Sequence, residues 1–160
     1  GADLDRDALR FAVAHSPRDI GFVAADARRL PFRDRSFDVV ISVTALCFVR
    51  EERQALKEML RVARRRVAVG LLNHRSLLYV LKGRGGGKGA YRGARWHTPK
   101  AVSQLFDGLP ARGSGWRTAI MSPQGGKWSR RAEPRLRRIF PGLGAFIAAA
   151  ADVAPGTDSE

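Results

Sequence analysis

Cysteine is nearly missing from this chain. Cys47 is the only one among 160 residues, so no intrachain disulfide can form and a reducing compartment is expected. Long apolar runs are missing too. The longest, near 146–151, is alanine-rich and far short of the roughly 20 residues that span a bilayer. The first residues carry no basic-then-apolar targeting pattern. A cytoplasmic location with no membrane partner is therefore expected. Acidic residues are scarce, 15 Asp and Glu against 29 Lys and Arg, which leaves a net charge of +14. An arginine-, alanine- and glycine-rich composition of GC-rich coding explains much of that charge. An anionic partner such as nucleic acid is the other explanation, possible but not favoured. His15, His74 and His97 lack metal-ligand spacing and cysteine partners, so no metal site is expected. No internal repeat is visible, and the length suits one domain.

What remains reads as alternating strands and helices. Residues 1–4 look like the tail of a strand. Asp5 or Asp7 can cap a helix over 8–14, because a short carboxylate accepts from the free N–H groups of a first turn. Ser16-Pro17 ends that helix. Residues 20–25 form a short apolar strand ending at Asp26, and Leu30-Pro31-Phe32 is a loop. The β-branched run over 37–43 suits a strand buried on both faces of a parallel sheet. Ala55, Leu56, Met59, Leu60 and Ala63 mark one face of a helix over 51–64, and 67–72 is another strand. This alternation predicts an α/β fold, a mostly parallel sheet with helices on both faces. Further on, 77–81 is a short helix and 82–95 is a glycine-rich, mobile or ligand-closing loop with five basic residues and no acidic one. Thr98-Pro99 caps and opens a helix that Gly108 stops. Residues 116–121 form a strand, 130–138 a basic helix, and 144–153 a last strand or a helix, before a disordered tail. The domain runs over 1–153, with a core at 1–73, a variable segment at 74–110, an antiparallel strand pair within 111–153, and the tail at 154–160.

Two carboxylates at neighbouring strand ends stand where open α/β sheets bind nucleoside-like ligands. Asp3 can accept from ribose hydroxyls or merely cap the next helix. Asp26 can accept from an adenine amine, with the Ala27 amide on a ring nitrogen and Leu30 on the adenine face. It can equally be a turn aspartate bonded to its own loop. Cys47 reads as a small buried thiol rather than a nucleophile. The segment from Gly83 to Gly89 is not a phosphate loop, because Lys82 stands where its first glycine belongs and Gly89 where a serine or threonine should follow Lys88.

The stretches Gly1-Ala2-Asp3-Leu4-Asp5 and Asp26-Ala27-x-x-Leu30-Pro31-Phe32-x-x-x-Ser36-Phe37-Asp38, continuing through Val39-Val40-Ile41-Ser42, resemble the UbiE-like, methyltransferase type 11 group of class I S-adenosylmethionine-dependent methyltransferases. Trp96-His97-Thr98-Pro99 resembles a stretch that many of these enzymes carry before their last hairpin. The resemblance implies a Rossmann-like sheet and S-adenosyl-L-methionine as cofactor, with Asp3 on its ribose and Asp26, Ala27 and Leu30 at its adenine. Ser42 would lie nearest the methionine half. Residues 44–48, with Thr44 and Phe48, would line the cleft toward a small-molecule acceptor, and Trp96 and His97 are further candidates on the acceptor side. The family's first strand and its glycine-rich loop belong just before Gly1, and the chain lacks them. That strand lies between those ending at Asp3 and Ser42, so an inner sheet edge should stand bare and an N-terminally truncated product is expected. The alternatives are a non-catalytic, basic nucleic-acid-binding module on a degenerate core of this kind, or an RNA methyltransferase.

Overall fold

The computed structural model describes residues 1–119 and 142–154. The expected helix over 130–138 and the tail over 155–160 lie outside the described residues. Strand β1 (Ala2–Asp3) leads into helix α1 (Arg6–His15) and strand β2 (Val23–Ala24). Then come β3 (Phe37–Val43), a 3₁₀ turn (Ala45–Phe48), α2 (Glu52–Val62) and β4 (Ala63–Leu72). A π-helical turn (Tyr79–Gly83) and two 3₁₀ turns (Arg84–Gly86 and Gly89–Tyr91) precede α3 (Pro99–Leu105), β5 (Ala111–Ala119) and β6 (Phe146–Val153).

The caps fall where the residue types predict. The Asp5 carboxylate accepts from the Asp7 and Ala8 amides and starts α1. Thr98 accepts from the Ala101 amide with Pro99 behind it in the first turn of α3. Gly108 adopts a positive φ of 67° just beyond that helix.

The strands form two sheets. β1 and β2 pair in parallel, and a four-stranded sheet has the order β3-β4-β6-β5. β3 runs parallel to β4, whereas β6 is antiparallel to both β4 and β5. The alanine-rich stretch before Val153 is therefore a strand. Its small side chains let it lie between two neighbours, from Phe146 opposite Leu72 to Asp152 opposite Arg66. β4 begins at Ala63 and β5 at Ala111, both earlier than the apolar runs predict. Ladder hydrogen bonds carry them through arginines whose heads remain in water.

One face of this sheet is the core. Leu56, Met59 and Leu60 of α2 and Val102 of α3 pack on Val67, Val69, Leu71 and Ile147, all at most 4% exposed. Burying such side chains contributes about 1.5–3 kcal/mol each. The expectation that β3 is buried on both faces is corrected. Phe37, Val39, Ile41 and Val43 are 40–67% exposed. These four are alternate residues that share one face of β3, and that face is left uncovered; among the described residues the only strand partner of β3 is β4, and the β1–β2 pair forms a separate sheet.

The glycine-rich segment is held by ring contacts and backbone bonds of its own. His74, Tyr79, Tyr91 and Trp96 form a linked aromatic group, with Tyr79 and Trp96 centroids 5.2 Å apart. Backbone bonds from the Lys88 amide to the Lys82 carbonyl (2.8 Å) and from Gly93 to Gly86 (2.9 Å) fold the segment back on itself. Its glycines supply positive φ angles at these tight turns, such as 87° at Gly87.

Candidate functional site

β1 runs parallel to β2, and β3 runs parallel to β4. β1 ends at Asp3 and β2 leads to Asp26. β3 ends at Val43, just before Thr44, and β4 at Leu72, just before Asn73. A cleft of about 750 Å³ opens between the β1–β2 pair and β3. Ala27, Leu30 and Ser42 all line it, with Phe22, Phe32 and the β3 side chains. The sequence placed these three residues at one ligand, and the fold brings them to one cavity. Asp3 and Asp26 adjoin lining residues of the cleft, Ala2 and Ala27, without lining it themselves.

Both carboxylates have local partners. Asp3 accepts from the Asp5 amide at 3.0 Å through Oδ1 and is otherwise exposed. Asp26 takes the Arg28 amide and side chain, with Arg28 Nη2 at 2.7 Å. Arg28 also pairs with Glu51. The guanidinium bond holds the Asp26 carboxyl below its usual range. Asp26 is thus a turn aspartate in this structure, and an adenine amine would share it with Arg28.

The loop beneath is fastened by residues that sequence reasoning missed. Glu58 accepts from the Leu30 amide at 2.9 Å, and Arg61 donates to the Leu30 and Phe32 carbonyls. The two side chains pair with one another at 2.8 Å. Their i, i+3 spacing on α2 was the available signal. The Arg61 bond holds the Glu58 carboxyl down.

Thr44 turns the chain out of β3 with a positive φ of 61°, a strained conformation for a β-branched residue. Its amide donates to the Gly70 carbonyl at 2.8 Å, and its hydroxyl to the Val43 carbonyl at 2.7 Å. Phe48 is half exposed at the end of the following turn. Cys47 lies buried between them, its sulfur accepting from the Leu72 amide at 3.3 Å. Burial pushes its thiol pKa up, so it is no activated nucleophile.

Trp96 and His97 do not reach the cleft lining. His97 Nε2 lies 2.8 Å from Glu52, and its amide donates to the Leu72 carbonyl. Glu52 also pairs with Arg95 at 2.9 Å. Burial alone would raise the Glu52 pKa; the bonds from His97 and Arg95 outweigh it and bring it below the ordinary 4.5. Among the described residues, His97 Nδ1 and Trp96 Nε1 are buried without a hydrogen-bond partner. The described residues hold no group of three or more His, Cys, Asp or Glu able to bind a metal ion. No described helix is long and apolar enough to cross a membrane.

Set beside known proteins, residues 1–69 match the sequence profile of the methyltransferase domain family. The whole fold resembles a S-adenosylmethionine-dependent methyltransferase from Thermotoga maritima, with a TM-score of 0.75 at 20% identity, over 96% of this chain and 72% of that one. The described chain therefore has the Rossmann-like fold seen in S-adenosylmethionine-dependent methyltransferases, and its first 69 residues match the methyltransferase domain pattern.

Among individual proteins, a demethylmenaquinone methyltransferase from Renibacterium salmoninarum is 52% identical over 69 residues. That match covers 39% of this chain and spans only 29% of the relative. A magnesium protoporphyrin IX methyltransferase from Synechocystis, solved with S-adenosylhomocysteine, shares the fold at a TM-score of 0.54 and 17% identity, over 92% of this chain and 58% of that one.

Proposed function

We propose that this chain binds S-adenosylmethionine in the cleft between β1–β2 and β3 and belongs to a methyltransferase acting on a small-molecule acceptor. The observation that carries this reading is that Ala27, Leu30 and Ser42 all border one apolar cleft, which runs along β3 from Phe37 to Val43 and faces the β1–β2 pair. The residues present fit the cofactor. Asp3 keeps one carboxylate oxygen free of the Asp5 amide to accept from a ribose. Leu30 offers an aliphatic surface to an adenine ring, and its loop is held by Glu58 and Arg61. The cofactor supplies an electrophilic methyl group on a sulfonium, and the methyl carbon–sulfur bond breaks as the acceptor's nucleophilic atom bonds to that carbon. The chain's part is orientation and exclusion of water. Ser42 would face the methionine half, and Thr44 and Phe48, which lie beyond the cleft lining, would stand on the acceptor side. Demethylmenaquinone, named for the curated relative, is the acceptor we propose on the strength of that 52% identity.

Calorimetric titration of S-adenosylmethionine into the 160-residue chain tests the reading. We expect saturable binding that weakens at least about tenfold in Asp3→Ala, equivalent to losing one charge-assisted hydrogen bond. A folded chain that gives no binding heat, or a variant that binds as tightly as the parent, would overturn it.

A further inference from the structure

The π-helical turn Tyr79–Gly83 and the residues before it show a reversed polarity. An exposed helical face should be polar. Here Leu77, Val80 and Leu81 are 55%, 47% and 49% exposed, while Leu78 beside them is 6% exposed and packs inward. Leu77, Val80 and Leu81 thus all lie on the solvent side of the turn, opposite Leu78. The surrounding charge has one sign only. No acidic residue occurs between Glu58 and Asp107. Arg75 precedes the aliphatic face, and Lys82 and Arg84 follow it. The bond from the Lys88 amide to the Lys82 carbonyl brings Lys88 back beside them. Each of these four residues is exposed, and none forms an ion pair among the described residues.

Two anionic partners could meet such a surface. Single-stranded RNA is held by aromatic side chains that stack on bases. The aromatics of this segment do not present themselves. Tyr79, Tyr91 and Trp96 are partly buried and turned on one another, with Tyr91 and Trp96 centroids 5.8 Å apart. The side chains left outside are aliphatic. Aliphatic side chains ringed by lysine and arginine are the composition that enters the headgroup region of an anionic bilayer.

We propose that Leu77, Val80 and Leu81, with the basic side chains around them, dock this chain on an anionic phospholipid surface. The patch sits at the C-terminal end of the parallel strands. The segment returns to the sheet through the Arg95 amide on the Cys47 carbonyl at 2.7 Å, next to Thr44 and Phe48. A docked chain would therefore turn its candidate acceptor side to the lipid. Docking itself does not depend on methyl transfer, so it can stand if that reading fails.

Sedimentation of the full chain with sucrose-loaded vesicles tests this. Equal parts of phosphatidylglycerol and phosphatidylcholine should bring the protein down, and phosphatidylcholine alone should not. The variant Leu77→Ser/Val80→Ser/Leu81→Ser should bind at least about tenfold more weakly. So should Lys82→Glu/Arg84→Glu/Lys88→Glu. A charge reversal on β5, Arg112→Glu/Arg117→Glu, should change binding by less than about twofold, although it removes about two thirds as much net charge as the patch variant. Circular dichroism checks each fold, and single Leu81→Ser replaces the triple variant if that one unfolds. No sedimentation with the anionic vesicles overturns the proposal. Unchanged binding of the serine variant does so too, since the attraction would then be general to a cationic protein. Bulk transfer RNA is titrated in parallel. RNA binding lost in the Glu variant, without vesicle binding, would assign the patch to nucleic acid instead.

Discussion

At the scale of the residue, Glu52 holds more of this site together than any group the sequence singled out. Its carboxylate takes His97 and Arg95, and those two bring the 74–98 excursion back to the end of β4. The Arg95 side chain also donates to the Arg50 carbonyl at 2.9 Å. Glu52→Gln should cost about 1–3 kcal/mol, the range for leaving a buried partner poorly satisfied. Because the folded state lowers the Glu52 pKa below 4.5, its contribution is complete above that pH and is lost as pH falls through the folded value. Urea unfolding of both proteins at about pH 7 and about pH 3.5 should show the gap between them shrinking in acid. A constant gap would mean that the ion pairs contribute nothing. The strand end at Asp3, the tight turn at Asp26 and the loop at Leu30 were legible because local rules govern them. Glu52 was not, since its partners lie 43 and 45 residues away, and nothing local marks such a distance.

At the scale of the element, the variable segment shows how composition misleads. Many glycines with few large apolar residues suggest a loose loop. Yet Gly83 is buried, and a Cβ there would strike the Tyr79 ring and lie 2.8 Å from Trp96. This glycine is a packing residue that lets two aromatics close over the backbone. Gly83→Ala should destabilise the chain by about 1–3 kcal/mol, as overpacking does. It should also shift tryptophan emission to the red as Trp96 opens to water. Gly85→Ala is the comparison: φ there is +68°, but no atom lies within 4 Å of the new Cβ. It should cost about 1–2 kcal/mol of backbone strain without moving the emission. Equal spectral shifts in the two variants would mean that the aromatic group is not what Gly83 serves. The caps of α1 and α3 and the bounds of β3 were readable because each is set by neighbours in sequence. The early starts of β4 and β5 were not, because pairing of Ala63 with Phe37 of β3 extends β4, and pairing with β6 extends β5, past their apolar runs.

At the scale of the whole molecule, two features oppose each other. A net charge of +14 drives copies apart. The outer edge of β3 draws them together, since a strand edge unpaired among the described residues, with Ile41 and Val43 about two-thirds exposed beside it, is a template for another strand. The sequence foretold that edge through the resemblance to a family with a further strand there. Periodicity alone had predicted the opposite, a strand covered on both faces. Which force wins depends on screening. The range of the repulsion falls from about 20 Å near 0.02 M salt to about 4 Å near 0.5 M, whereas the apolar contact hardly changes. The mean sedimentation coefficient should therefore rise with added salt at fixed protein concentration. Ile41→Lys/Val43→Lys should abolish that rise. Both side chains are largely in water, so each change should cost less than about 0.5 kcal/mol of stability. Association that weakens with salt, or persists in the lysine variant, would place the contact elsewhere on the surface and leave the β3 edge without a role in it.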